Sequence, residues 1–272
     1  MNATPTASQA LPHERRGAGP PLLLLHGAMV DREYWREQIP VFATRHEVIA
    51  CDLPGHGAAP PLAGPTSIAD MAREVLATLD VLDLPAVRVL GHSLGGMVAQ
   101  ELALMAPERV RALILTDTWC RPRGYFLEPF PFRTTYLHWL LRAYPVAQVI
   151  DIMSRGAALR TPAIRPYALQ TMSRYLGDRE TLLHIWDAAT AFDSHERLER
   201  ITAPTLIVAS DGYLFTAAQA VRLAAGIPGA SLAVIPRTGH WVNWDNPVAF
   251  QEAVMGFLAH LGDPLRVPAA GA

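Results

Sequence analysis

Ser93 lies in the segment VLGHSLGGMVAQ, where an apolar run gives way to a helical pattern through Gly91 and Gly95, two residues to either side of the serine. That Gly-x-Ser-x-Gly spacing suits a sharp strand-to-helix turn. The serine is held strained, and the flanking glycines let the strand and helix backbones approach closely. Such a turn exposes the hydroxyl and aims the backbone N–H of Leu94 at an oxygen developing negative charge in front of it. A serine hydroxyl is a poor nucleophile near neutral pH and needs a positioned base. Of the ten histidines, His240 has the best setting: it follows the apolar run ASLAVIP and the turn PRTG, and precedes WVNWDNP and a last helical segment. His92, beside the serine, reads as structural. A second oxyanion donor is worth ~10²–10³ in rate. The pair His26-Gly27, which ends the run PLLLL, turns the chain so that the N–H of Ala28 faces Ser93. His26 reads chiefly as fixing that loop, and with Met29 it is placed at the border of the substrate site.

These residues must be positioned by a sheet. Apolar runs recur at 21–27, 46–52, 86–92, 110–117, 204–211 and 230–236, separated by helical patterns. Near-continuous apolar strands are buried on both faces, as in a parallel sheet covered by helices, and the β-α-β alternation predicts a doubly wound α/β fold. Helical segments are expected at Ser67–Leu82, from Leu94 onward, and at Pro247–Leu261. The alternation breaks between Asp117 and Pro204. A structureless loop of that length is improbable, so residues 120–198 are expected to form a helical cap inserted over the carboxyl ends of the strands, with 1–119 and 199–272 as the core. The tail DPLRVPAAGA is expected to fray.

Composition narrows the function classes. The 272 residues are 50% hydrophobic and 18% charged with a net charge of -2, enough apolar material for one core and no basic field for nucleic acid. Cys51 and Cys120 belong to no CxxC pair and read as free thiols of a reducing cytoplasm. The first twenty residues lack an apolar h-region and no stretch is long enough to span a bilayer, so a cytoplasmic protein is expected. No HExxH-like cluster is present, and neither metal nor cofactor is expected.

The stretches LLLLHGA, CDLPGHGAAP, GHSLGGMVAQELAL, PTLIVAS and RTGHWVNWDNP together resemble the α/β-hydrolase superfamily, and most of all small bacterial members similar to enol-lactonases, carboxylesterases and non-haem haloperoxidase-type hydrolases. The resemblance implies an eight-stranded sheet, with a first strand shortened or missing here. It also implies a triad acid after the strand PTLIVAS, three positions beyond a glycine. Counting forward from Pro204 places Tyr213 there, while counting back from AAGIPGA places Asp211. Some superfamily members carry the acid after the preceding strand, which here ends at Asp117. Both aspartates therefore stand as candidates, since the acid need only orient the imidazole and stabilise its protonated form. Asp52 belongs to the DLPGHG turn and Asp70 to a surface helix.

The cap is aromatic, with Trp119, Tyr125, Phe126, Phe130, Phe132, Tyr136, Trp139, Tyr144, Tyr167, Tyr175, Trp186 and Phe192. Any one of these suits a core. Together they suggest an apolar pocket for a small-molecule substrate, with Trp119 and Trp241 as its expected walls. The leading expectation is a serine hydrolase of esters, lactones or thioesters. A second is a cofactor-independent oxygenase, lyase or carbon-carbon hydrolase in which His240 deprotonates an enol or phenol, and a third is a ligand receptor on the same scaffold. An aspartate in place of Ser93 is what dehalogenase or epoxide hydrolase chemistry implies on this fold. Sequence leaves the oligomeric state open.

Overall fold

The computed structural model describes residues 9–61, 63–64, 66–121, 139–212 and 214–261, the side chains of 214–216 excepted. They form a seven-stranded sheet of order β1-β3-β2-β4-β5-β6-β7. The strands are β1 (His13–Arg16), β2 (Pro21–Leu25), β3 (Glu47–Cys51), β4 (Val87–His92), β5 (Val110–Thr116), β6 (Thr205–Ser210) and β7 (Ser231–Ile235). Only β1 runs antiparallel to its neighbour, and every other pairing is parallel. The six apolar runs are the six parallel strands. The implied eighth strand is absent from the described sheet, and the short β1, with its sequence HERR, lies at the edge.

Leu22, Leu23, Leu24 and Leu25 are all fully buried because β2 is covered on both faces, and each such leucine contributes ~1.5–3 kcal/mol relative to exposure. Around the sheet pack α1 (Ile39–Phe42), α2 (Ile68–Val81), α3 (Leu94–Met105), α7 (Leu214–Gly226), α8 (Val242–Asp245) and α9 (Pro247–His260). Ser67 and Asp70 start α2 with a reciprocal capping box, which accounts for Asp70. The outermost strand at the far end, β7, leaves Leu232 and Val234 exposed.

Between β5 and β6 the described residues are helical: α4 (Val146–Ala157), α5 (Arg165–Met172) and α6 (Arg179–Ala191), joined by short 3-10 turns. Their inward faces, including Val149, Ile150, Ala168, Leu182 and Ile185, belong to the same apolar cluster as the sheet core. Strand order reverses at β2, with β3 on one side and β4 on the other. In open parallel sheets the crevice outside the carboxyl ends of the strands at such a reversal is where ligands bind. The loop after β2 carries Gly27 and Ala28, and the turn after β4 carries Ser93.

Candidate active site

Ser93 has φ 51° and ψ -114°, a left-handed conformation that a side-chain-bearing residue keeps only when its surroundings enforce it. Here they do. The Ser93 N–H donates to the Thr116 carbonyl at 2.9 Å, and the Ser93 carbonyl accepts from the Thr118 hydroxyl at 2.7 Å, so the end of β5 clamps the turn. A Cβ on Gly91 would sit 2.4 Å from the Gly95 carbonyl oxygen, and one on Gly95 would sit 2.2 Å from that of Leu25. Leu94 opens α3. The N–H groups at a helix start lack intrahelical acceptors, and the helix dipole adds partial positive charge there.

The other face of the crevice is the loop after β2. A Cβ on Gly27 would lie 2.8 Å from His92 Nδ1 and 3.3 Å from Ser93 Cβ, so only glycine lets this loop close on the serine. Ala28 follows, half-buried, and then Met29, which is buried with φ 64°. His26 is fully buried. Its Nδ1 pairs with the Gly27 carbonyl at 2.8 Å and its Nε2 accepts from the Leu53 N–H at 3.0 Å, which makes it a brace for the loop and removes it from the pocket wall. Burial lowers its pKa to about 4, so the ring is neutral near pH 7.

His240 Nε2 stands 3.2 Å from Ser93 Oγ. The loop that carries it is fastened residue by residue. Arg237 and Thr238 donate their N–H groups to Asp211 at 2.8 and 2.9 Å, Gly239 donates to Asp245 at 2.8 Å, and the His240 carbonyl accepts from His92 Nε2 at 2.8 Å. The His92 ring stacks on Tyr34 at 4.9 Å, and burial lowers its pKa to about 4. A neutral ring with its proton on Nε2 fits that bond.

The two acid candidates differ in placement. Asp211 is exposed and spends both carboxylate oxygens on backbone N–H groups, which hold its pKa below the usual carboxylate range. It shapes the turn that leads to His240. Asp117 is buried at the end of β5, with φ 39°, and its Oδ1 accepts from the Ser210 N–H and hydroxyl at 3.0 and 3.1 Å. Its charge is felt at Tyr34, whose pKa is raised well above the ordinary value first by burial and then by Asp117. Tyr34 in turn lies 5.3 Å edge-on to Trp241. Tyr213 lies outside the described residues, as do Tyr125, Phe126, Phe130, Phe132 and Tyr136.

Trp119 is half-buried, and its carbonyl accepts from Gln100 on α3 at 3.1 Å. Trp241 is buried between Tyr34 and Tyr167, 6.2 Å from the latter ring, and so joins core to cap. Among the described residues no group of histidines, cysteines and carboxylates is placed to hold a metal ion, and no helix is long and apolar enough to cross a membrane. Asp52 accepts from the Arg32 and Ala58 N–H groups at 2.8 Å each and from the Arg32 guanidinium, a turn-forming role.

A family model described as the alpha/beta hydrolase family matches residues 22–253. The chain belongs to that family. The hydrolase is 35% identical over 252 residues to a protein of Azorhizobium caulinodans named "Putative carbamate hydrolase RutD", covering 92% of this chain and 95% of that one. It is 30% identical to the 2-hydroxy-6-oxononadienedioate/2-hydroxy-6-oxononatrienedioate hydrolase of Cupriavidus pinatubonensis, over 88% of this chain and 86% of the relative. Among solved structures it is similar to Est816, described as an N-acyl homoserine lactone degrading enzyme, with a TM-score of 0.77, 28% identity, and 90% and 95% of the two chains covered.

Sequence reasoning missed Asp31, Tyr34 and Asp245 in this hydrolase. The Tyr34 hydroxyl donates to Asn243 and its ring stacks on His92. Asp245 carried a faint signal, since it falls shortly after His240 in WVNWDNP, where a carboxylate can reach back to the loop's N–H groups.

Proposed function

We propose that this hydrolase cleaves an ester, lactone, thioester or carbamate of a small, largely apolar substrate through a Ser93-His240-Asp117 triad. The observation that carries the reading is the 3.2 Å approach of His240 Nε2 to Ser93 Oγ on a turn held in a left-handed conformation. In this reaction Ser93 Oγ attacks the acyl carbon while His240 Nε2 takes the hydroxyl proton. The N–H groups of Ala28 and Leu94 hold the oxyanion, and His240 returns the proton to the departing alcohol, thiol or amine. Water, deprotonated by the same imidazole, then releases the acyl group from the serine and regenerates the hydroxyl. Asp117 is the acid because it is buried beside the turn, whereas both oxygens of Asp211 are taken by the loop main chain.

Names of relatives support hydrolysis of a carbonyl-centred bond: one is named for a carbamate and a structural neighbour for a lactone. The test is turnover of a panel of p-nitrophenyl esters, lactones and carbamates, joined to fluorophosphonate labelling read by intact mass. Wild type is expected to turn over at least one class and to gain one adduct. Ser93→Ala is expected to lose both, and His240→Ala nearly all turnover. Full activity in Ser93→Ala with none in His240→Ala overturns the nucleophile and favours the reading in which the histidine deprotonates an enol or phenol.

A further inference from the structure

Two carboxylates outside the triad tie the loops that flank Ser93 to one stretch of the cap. Asp245 spans 84 positions of sequence: its Oδ2 accepts from Gly239 N–H at 2.8 Å, the peptide immediately before His240, and its Oδ1 accepts from the cap residue Thr161 Oγ1 at 2.6 Å. Asp31 follows the Ala28-Met29-Val30 loop and is buried. It accepts from the cap's Tyr167 hydroxyl at 3.1 Å, pairs with the Arg174 guanidinium at 2.8 Å, and caps the 3-10 turn Arg32–Trp35 that continues from that loop by accepting from the Glu33 N–H at 3.1 Å. The Tyr167 ring stacks on Trp244, beside Asp245, at 5.6 Å, and Arg36 lies over both rings at 5.0 and 4.6 Å. The segment 161–174 therefore reaches the oxyanion loop at one end and the histidine loop at the other.

We propose that Asp31 and Asp245 are positioning residues through which this cap segment sets the alignment of the oxyanion donor and of His240 against Ser93. The inference rests on the Ser93-His240 reading above. Its physical basis is that each carboxylate accepts from both partners at once, so cap and loop cannot shift independently without one donor losing its acceptor. Ordering of the cap around a substrate is thereby transmitted to the two groups whose placement decides the rate. Misplacement of a reacting group by about 1 Å costs ~10²-fold.

The experiment compares Asp245→Ala, Asp245→Asn, Thr161→Val and Asp31→Asn by steady-state kinetics on the best substrate of the panel, with folded fraction measured by thermal melting and active serine counted by fluorophosphonate. Asp245→Ala is expected to lower kcat ~10–100-fold with KM within about threefold, and Asp245→Asn, which keeps an acceptor for Gly239, to restore most of it. Asp31→Asn and Thr161→Val are expected to lower kcat several-fold. The Thr161→Val effect is expected to vanish in the Asp245→Ala background, as coupling through one carboxylate requires. Unchanged kcat per active serine in Asp245→Ala, whatever its melting temperature, overturns the proposal, as do additive effects of Asp245→Ala and Thr161→Val. Failure of the triad reading itself is separately visible, since wild type would then take up no fluorophosphonate and Ser93→Ala would stay active.

Discussion

The difference between Asp117 and Asp211 comes down to what each carboxylate already holds. Asp211 is exposed and bonded to the Arg237 and Thr238 N–H groups, while Asp117 is buried where β5 meets the elbow. Asp117→Asn is expected to lower kcat by ~10³–10⁴-fold, the scale seen when the acid of such a triad loses its charge. Asp211→Asn keeps one acceptor and is expected to stay within about fivefold of wild type. Rates per fluorophosphonate-titrated serine measure both, and equal losses would remove the assignment of the acid. The meeting of Ser93 and His240 was legible in the sequence because their neighbours punctuate: glycines two residues to either side of the serine, and a glycine before the histidine in the loop that follows a strand. The choice between the two aspartates was not, because both close apolar runs and only the fold decides which is buried. Asp31 left no signal and Asp245 only its place shortly after His240, for another reason. Their cap partners lie 136 and 84 positions away in the chain.

Elements position the site by close approach, and the elbow shows how little room that leaves. Gly95→Ala would put a methyl 2.2 Å from the Leu25 carbonyl oxygen and 2.6 Å from that of His26, neither of which is free to move in a central strand and its loop. Loss of soluble, folded protein is expected. Gly156, near the end of α4, has nothing within 4 Å of the same hypothetical atom. Gly156→Ala is expected to stabilise by about 0.5–1 kcal/mol and to raise the melting temperature by ~1–4 °C. Thermal melts of the two variants test the contrast, and a well-folded Gly95→Ala protein would break it. Strands were legible wherever burial on both faces forces continuous apolar sequence, as in β2 to β6, while β7 stood out by the same apolar pattern although Leu232 and Val234 are exposed. β1 hid because HERR pairs with β3 through its main chain and its side chains are largely in solvent, where Arg15 meets Glu47 at 2.6 Å. The helices between β5 and β6 announced themselves only as a break in the alternation.

At the scale of the whole molecule, three buried histidines make stability depend on pH. Burial lowers His26 and His92 to about 4 and His56 to about 3, against 6.5 for an unhindered ring. Between those values the unfolded chain binds more protons than the folded one, so stability is complete above about pH 6.5 and is lost as pH falls toward 4. Each ring contributes up to ~1.4 kcal/mol per pH unit across its window. Carboxylates whose pKa is held down, such as Asp70 and Asp211, act only below about pH 4, so they do not mask the effect. Urea midpoints between pH 7.5 and 4.5 are expected to fall steadily, and a flat profile would contradict the burial of these rings.

The two ends of the sheet are unlike, and that asymmetry bears on how the protein behaves when concentrated. Among the described residues the β7 end carries exposed Leu232 and Val234, and the β1 end carries exposed Arg15 and Arg16. Fibrillar growth by strand addition needs a receptive edge at both ends of every unit, because each new copy must offer a fresh one. The charged β1 end is expected to disfavour continued strand addition, so any association through the apolar β7 end is expected to stop at pairs, which light scattering over a concentration series checks.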